Sequence, residues 1–261
     1  MSSLTGATLA EVGVDAAALK PSEVDLRRAS VLSVETLAID YEGREHVPGS
    51  DLLADLAEQY RVRATVPVRA DGFDPLGDDS DRRALPESVG PVLVAGHPAY
   101  LDDAETRRAV APRLQAAAAD AADPWVGTEG VERIALAVGG TQYELLSAST
   151  PRDVRALRGA GFDGAIAVYA PTVLTDDPDV VLDAVGAYAA RRGPVRQALP
   201  ENAPRDSTVT GDARETLLAA CRDYALVGAP ETVADRIDDL REVGVDHVVA
   251  YPARGLDAVT Q

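Results

Sequence analysis

At 261 residues, with 46% hydrophobic residues and a formal charge of −18, the chain is long enough for one α/β barrel or two small domains and apolar enough to bury a full core. The negative charge argues against nucleic acid as a partner, because phosphate binding needs clustered cations. A single cysteine, Cys221, excludes an intramolecular disulfide and a cysteine-based zinc site.

Residues 1–30 carry weak periodicity and read as an N-terminal extension, with short helices expected near Ala16–Leu19 and over 23–29. Residues 36–40 are apolar and strand-like. Residues 51–59 read as a helix with Leu52, Leu53 and Leu56 on one side and Ser50 as N-cap. Residues 62–68 read as a strand that Pro67 ends or places at an edge. The stretch 71–90, rich in Asp, Gly and Pro, reads as a loop with one helical turn. A third strand covers 92–95, followed by Gly96-His97-Pro98. An Ala-rich helix is expected over 102–122, started by Asp102 or Asp103, and then a loop over 121–130 holding the only tryptophan, Trp125.

Residues 134–138 read as a fourth strand ending in Gly139-Gly140, and 144–147 as a fifth. Thr150-Pro151-Arg152-Asp153 opens a helix with a capping residue, proline at the first position and an acid in the first turn. Strand six covers 165–169, and helices follow over 178–192 and 212–221, separated by an irregular loop over 193–211. Cys221 sits among apolar residues on the second of these, as a buried structural thiol would. The last forty residues give the clearest pattern. Strand 224–227 turns through Gly228-Ala229-Pro230 into a helix whose core face is Val233, Ile237, Leu240 and Val243. Gly244 ends it and 247–251 is the next strand.

Eight strands in near-alternation with helices indicate an α/β protein, a (β/α)8 TIM-barrel-like fold forming one domain over 1–261. No clear helix separates strands two and three or four and five, so an incomplete or eroded barrel and an open doubly wound sheet remain the alternatives. In a parallel barrel the active site lies at the carboxyl ends of the strands, which selects Asp40, Arg69, His97, Gly139, Gly140, Ser149, Tyr169, Gly228 and Arg254. Asp40 and His97 are the candidate acid–base residues. A histidine bonded to a nearby carbonyl is the plainer reading of His97. Ser147-Ala148-Ser149-Thr150-Pro151 joins a strand to a helix start, where free amides and the helix dipole favour a phosphate, although a plain cap by Thr150 explains the same residues. Gly139-Gly140 would let a flat cofactor or phosphate approach the backbone, or is a bare turn. Arg254 would meet a phosphate or carboxylate, or form a surface ion pair. Three scattered histidines give no metal-ligand spacing, so no metal is expected.

The segment Val227-Gly228-Ala229-Pro230-Glu231-Thr232-Val233-Ala234-Asp235-Arg236-Ile237, followed by Gly244-Val245-Asp246-His247-Val248-Val249, resembles the closing segment of the luciferase-like flavin- and F420-dependent oxidoreductases. Residues 151–161 followed by Phe162-Asp163-Gly164-Ala165-Ile166 are similar to a second patch of that family. Ala229 stands where the family often has threonine, and its long insertion over the cofactor is not evident, so the chain resembles a short, divergent member. The resemblance implies a luciferase-like barrel that uses F420 or FMN as hydride carrier on a small molecule, with the cofactor phosphate near the Ser147–Pro151 turn. It implies Ser149 and Thr150 as cofactor-binding residues, and the strand-end reading adds Gly139, Gly140 and Arg254 to them. Two other readings stay open. One is a degenerate barrel acting as a binding or subunit-interaction protein. The other is a cofactor-free lyase or isomerase using His97 with Asp40.

The 43 acids comprise 28 Asp and 15 Glu, against 24 Arg and one lysine, Lys20. An Asp-rich, Lys-poor surface resembles that of salt-in halophilic archaea, where hydrated carboxylates keep proteins apart in screened solution; an ordinary acidic protein of a GC-rich genome is the alternative. No apolar stretch reaches the length of a membrane span and the N-terminus does not read as a signal peptide, so a cytoplasmic location is expected. A small-molecule substrate is the expected partner, with a homodimer as an open option and neither nucleic acid nor membrane involved.

Overall fold

The computed structural model describes residues 8–95 and 101–260. Nine parallel strands run through them: β1 (Ala16–Leu19), β2 (Thr36–Ile39), β3 (Arg61–Pro67), β4 (Gly90–Val94), β5 (Trp125–Gly127), β6 (Thr141–Leu145), β7 (Ile166–Val173), β8 (Leu226–Val227) and β9 (His247–Pro252). Each of β1 to β6 pairs with the next, β6 pairs with β7, β7 with β9, and β9 with β1, which closes an eight-stranded barrel. β8 stays outside this ring, joined to the far end of β7 through Thr172↔Leu226 and Val173↔Val227. The (β/α)8 fold is therefore complete rather than eroded, and it is not an open sheet.

Helices cover the outside. They are α1 (Ser50–Ala57), α2 (Ser80–Arg83), α3 (Asp103–Thr106), α4 (Val110–Ala119), α5 (Glu132–Val138) and α6 (Thr150–Gly159), then α7 (Pro178–Val181), α8 (Ala187–Ala190), α9 (Gly193–Ala198), α10 (Gly211–Tyr224) and α11 (Pro230–Glu242). A π-helical turn, Leu182–Gly186, makes α7 and α8 one continuous rod. No described helix is long and apolar enough to cross a membrane. Cys221 is fully buried on α10, where burial pushes its thiol up to about 12.

The barrel interior explains the sequence of β1. Ala16 and Ala18 point inward with Ala38, Ala167 and Val249, and this ring of small residues makes room for Trp125, Tyr143 and Tyr169. Ala17 and Leu19 point outward into the layer beneath the helices. A run of alanines favours a helix locally, but complete burial on both faces makes it a strand here. The helix expected at Ala16–Leu19 is thus corrected, while the helix expected over 23–29 appears as a short 3-10 turn, Leu26–Val31.

Three other expectations change. Residues 121–130 are not a plain loop, because Trp125–Gly127 is β5. Residues 134–138 are not a strand but the body of α5, packed through Ala135 against Leu114 and Ala117 of α4. The single helix expected over 102–122 is two, α3 and α4. Asp102 caps α3, accepting from the amides of Ala104 and Glu105 at 2.8 and 2.7 Å, while Glu105 accepts from the Asp102 amide at 2.9 Å.

The far end of the barrel is plugged. Arg63 lies 5.3 Å over the Trp125 ring and donates to the Asp123 carbonyl at 2.6 Å and carboxylate at 2.5 Å. His247 stacks on Trp125 at 5.7 Å, a packing role rather than a chemical one.

Candidate functional site

The strands deliver their carboxyl ends to the opposite mouth, where a cavity of about 560 Å³ opens. Lys20 follows β1 directly and Asp40 follows β2. Thr65 comes from β3, Ala95 follows β4, Tyr143 stands on β6, Tyr169 on β7 and Tyr251 on β9. The rod α7–α8 crosses above and adds Tyr188, Arg191 and Arg192 from its end. With Tyr41, five of the eight tyrosines face this one space, so its walls are aromatic with polar tips.

Two tyrosines hold two carboxyl groups. Tyr169 Oη donates to Asp40 Oδ2 at 3.3 Å, and Tyr251 Oη donates to Glu23. The two rings lie parallel, 9° apart with centroids at 6.3 Å. Lys20 Nζ sits 4.3 Å over the Tyr251 ring and 3.3 Å from Glu23 Oε1, so its ammonium is fixed at the rim by a π face and a carboxylate. Across the mouth, Arg192 donates to the Tyr188 hydroxyl, pairs with Glu129 at 3.2 Å and covers the Tyr188 ring at 4.4 Å.

Dehydration dominates the electrostatics. Asp40 is raised from 3.8 to about 7, chiefly because its surroundings exclude water; the Lys20 charge and the Tyr169 hydrogen bond offset part of that rise. Tyr169 is raised well above its ordinary 10, by burial first and then by the Asp40 charge. Burial and the bond to Glu23 likewise raise Tyr251. Both phenols therefore remain hydrogen-bond donors near neutral pH, while Asp40 is poised to give or take a proton there.

Of the residues selected at strand ends from sequence, Asp40 and Tyr169 line this mouth. His97 lies outside the described residues. Gly139 and Gly140 lie at the other end of the barrel: once residues 134–138 are a helix, the glycines end it and lead into β6 instead of leaving a strand. Gly140 is needed there, with φ at +75° and a Cβ position only 2.5 Å from the Pro124 carbonyl oxygen. Arg254 is exposed on the turn after β9 and lines none of the cavities described here.

Ser149 and Thr150 start α6, but the cap differs from expectation. Thr150 Oγ1 accepts from the Ser147 amide at 2.9 Å, and the hydroxyls of Ser149 and Thr150 lie 3.1 and 3.2 Å from Ser147 Oγ. Asp153 stands beside them; the Ser149 hydroxyl and Arg152 hold its carboxyl below the ordinary value against the opposing effect of burial. Their neighbours Ser147 and Ala148 line a second cavity of about 560 Å³, shared with Gly228, Ala229, Arg222 and Arg236. The end of β6 and the connection after it border the two spaces in turn: Leu145 faces the mouth, and Leu146, Ser147 and Ala148 face the second cavity.

The sequence reading missed Lys20, Tyr251 and the Tyr188–Arg192 group as site residues. A usable signal existed for the first, the only lysine in the chain. None existed for the arginines, which reach the mouth only because the α7–α8 rod folds across it.

A family profile matches residues 9–259, nearly the whole chain. The chain belongs to a family of unknown function, DUF7388. No curated protein matches the sequence. Among solved structures, the coenzyme F420-dependent tetrahydromethanopterin reductase from Methanopyrus kandleri is similar with a TM-score of 0.60 and 14% identity, over 95% of this chain and 97% of that one. An F420-dependent secondary alcohol dehydrogenase, solved with an F420–acetone adduct, is similar with a TM-score of 0.56 and 12% identity, over 94% and 98%. At such identities the likeness establishes this member of DUF7388 as sharing their barrel fold, and chemistry must be argued from the site.

Proposed function

We propose that the protein is a luciferase-like oxidoreductase that uses F420, with FMN as the flavin alternative, as hydride carrier on a small molecule. The observation that carries this reading is the dehydrated Asp40–Tyr169 pair inside an aromatic mouth, on a barrel whose two named neighbours are F420-dependent enzymes. The residues fit such a group. Parallel tyrosine faces suit a planar ring, and Arg191, beside the paired Lys20 and Arg192, suits an anionic tail on a chain whose net charge is −18. The second cavity beside Ser147 supports placing a phosphate near the Ser149–Thr150 start of α6, with the Asp153 carboxylate opposing it.

A bound deazaflavin or flavin supplies the hydride. Asp40 donates a proton to the substrate oxygen as it is reduced and removes it in the reverse direction. Tyr169 orients Asp40, Lys20 limits the rise in its pKa, and the tyrosine walls keep water out. The Asp-rich surface supports a working environment of concentrated salt.

Titration of the purified chain with F420 and with FMN, in dilute and in molar salt, tests the reading through cofactor absorbance and fluorescence. Saturable one-to-one binding of either is expected, weakened by Ser149→Asp. A folded protein that binds neither would overturn it and leave the non-catalytic binding protein as the better account.

A further inference from the structure

A smaller chamber adjoins the mouth on the outer side of β2 and β3. It has a volume of about 280 Å³ and shares four residues with the mouth: Asp40, Tyr41, Glu42 and Thr65. The rest of its wall is mainly apolar, including Val47, Pro48, Leu53, Ala84 and Leu85. Val47 is 45% exposed at its rim, an apolar side chain left uncovered at an opening.

The chamber is preformed. Arg44, in the connection after β2, meets Asp81 at 3.2 Å, Asp78 at 3.7 Å and the Ser80 hydroxyl at 3.4 Å, which straps that connection to α2. Its ionisable side chains are mostly held within the chain. Arg44 and Asp81 neutralise each other, and Glu42 accepts from the Ser22 amide at 3.0 Å and hydroxyl at 2.5 Å. Asp81 Oδ2 is buried without a hydrogen-bond partner, so the wall calls for a hydrogen-bond donor and not for an anion. What remains is an apolar pocket with a carboxyl group at its inner end, a pattern that suits a neutral body carrying one oxygen.

We propose that this side chamber takes the apolar body of the substrate, a neutral molecule bearing one carbonyl or hydroxyl oxygen, and presents that oxygen to Asp40 at the mouth. This rests on the oxidoreductase reading for its purpose but not for its test. At about 30 Å³ for one water in the liquid, the 280 Å³ chamber has the room of roughly nine waters, which suits a single ring or a short chain rather than a polycyclic body.

The test uses the full chain without cofactor and 4-fluoroacetophenone as probe, with binding read from the fluorine NMR linewidth. Saturable binding is expected in the parent and in Ala84→Ser. It should weaken about tenfold or more in Ala84→Trp and, independently, in Val47→Trp, because both positions are exposed and a large ring there fills the chamber. The anion 4-fluorobenzoate should bind about tenfold less well than the ketone. Absence of saturable ketone binding, or tryptophan variants that bind as the parent does, would overturn the proposal, the second result placing the probe in the mouth instead. Cofactor titration of Ala84→Trp keeps the two readings apart: unchanged cofactor affinity with lost ketone binding is the expected pattern. A parent that binds the ketone but neither cofactor would refute only the hydride-carrier reading.

Discussion

Asp40→Asn will make the protein more stable at pH 8 and leave its stability nearly unchanged at pH 4. In the unfolded chain this carboxyl titrates near 3.8, and in the barrel near 7. Between those values the folded protein keeps a proton that the unfolded chain has released. Stability contributed by this group is full below the lower value and falls as pH rises through the window, by about 1.4 kcal/mol per unit. Across roughly three units the loss is on the order of 4 kcal/mol, which asparagine removes because it never ionises. Denaturant unfolding of both proteins at pH 4 and pH 8 measures the difference. The same substitution should lower turnover by about 10²- to 10⁴-fold once cofactor and substrate are supplied. In the parent, reduction should slow above about pH 7 as Asp40 loses its proton, and oxidation should slow below about pH 7 as it gains one. Stability given up at one carboxyl for chemistry is the signature expected of an active site and not of a structural one.

Arg113→Met will cost about 3–5 kcal/mol. Arg113 has no exposed surface. Its Nε donates to the Ala109 carbonyl at 2.8 Å, Nη1 to Val68 at 3.1 Å, and Nη2 to Glu105 and Arg108 at 3.5 and 3.4 Å. One fork therefore joins the exit of β3 to the α3–α4 turn, and methionine would leave several buried carbonyls without a donor. For a chain of this size the melting temperature should fall by roughly 10 °C. Arg113→Lys should recover little, since a single ammonium cannot reach the same spread of acceptors. Thermal unfolding followed by circular dichroism checks both variants.

The parts of this fold legible in sequence are those with length and period. α6, α10 and α11 show helical spacing over ten or more residues, and β7 and β9 stand out as buried apolar runs bounded by turns. The expected number of eight strands agrees with the closed barrel, but by compensation. β1 and β5 were missed, α5 was read as a strand, and β8 was counted although it lies outside the ring. The causes are physical. β1 is small because it faces Trp125 and two tyrosines across the barrel, so its alanines imitate a helix. β5 is three residues long and shows no period. The apolar run of α5 is too short to distinguish a strand from a helix packed on α4.

Those local errors propagated to the site. Reading α5 as a strand moved Gly139 and Gly140 to the wrong end of the barrel, and reading β1 as a helix hid Lys20 at a strand end. Asp40 was found because β2 was found. The pairing of Asp40 with Tyr169, 129 residues away, and the descent of Arg191 and Arg192 onto the mouth depend on barrel closure, which no local pattern carries.

If the mouth around Asp40 is the functional site, bound cofactor must shield it. Hydrogen exchange of the full chain, with and without saturating F420, tests it most directly. Protection should be gained in peptides covering Lys20–Glu23, Asp40–Glu42 and Tyr188–Arg192, with no change around Gly139 and Gly140. Protection centred on those glycines, or bound cofactor that leaves the mouth unprotected, would contradict it.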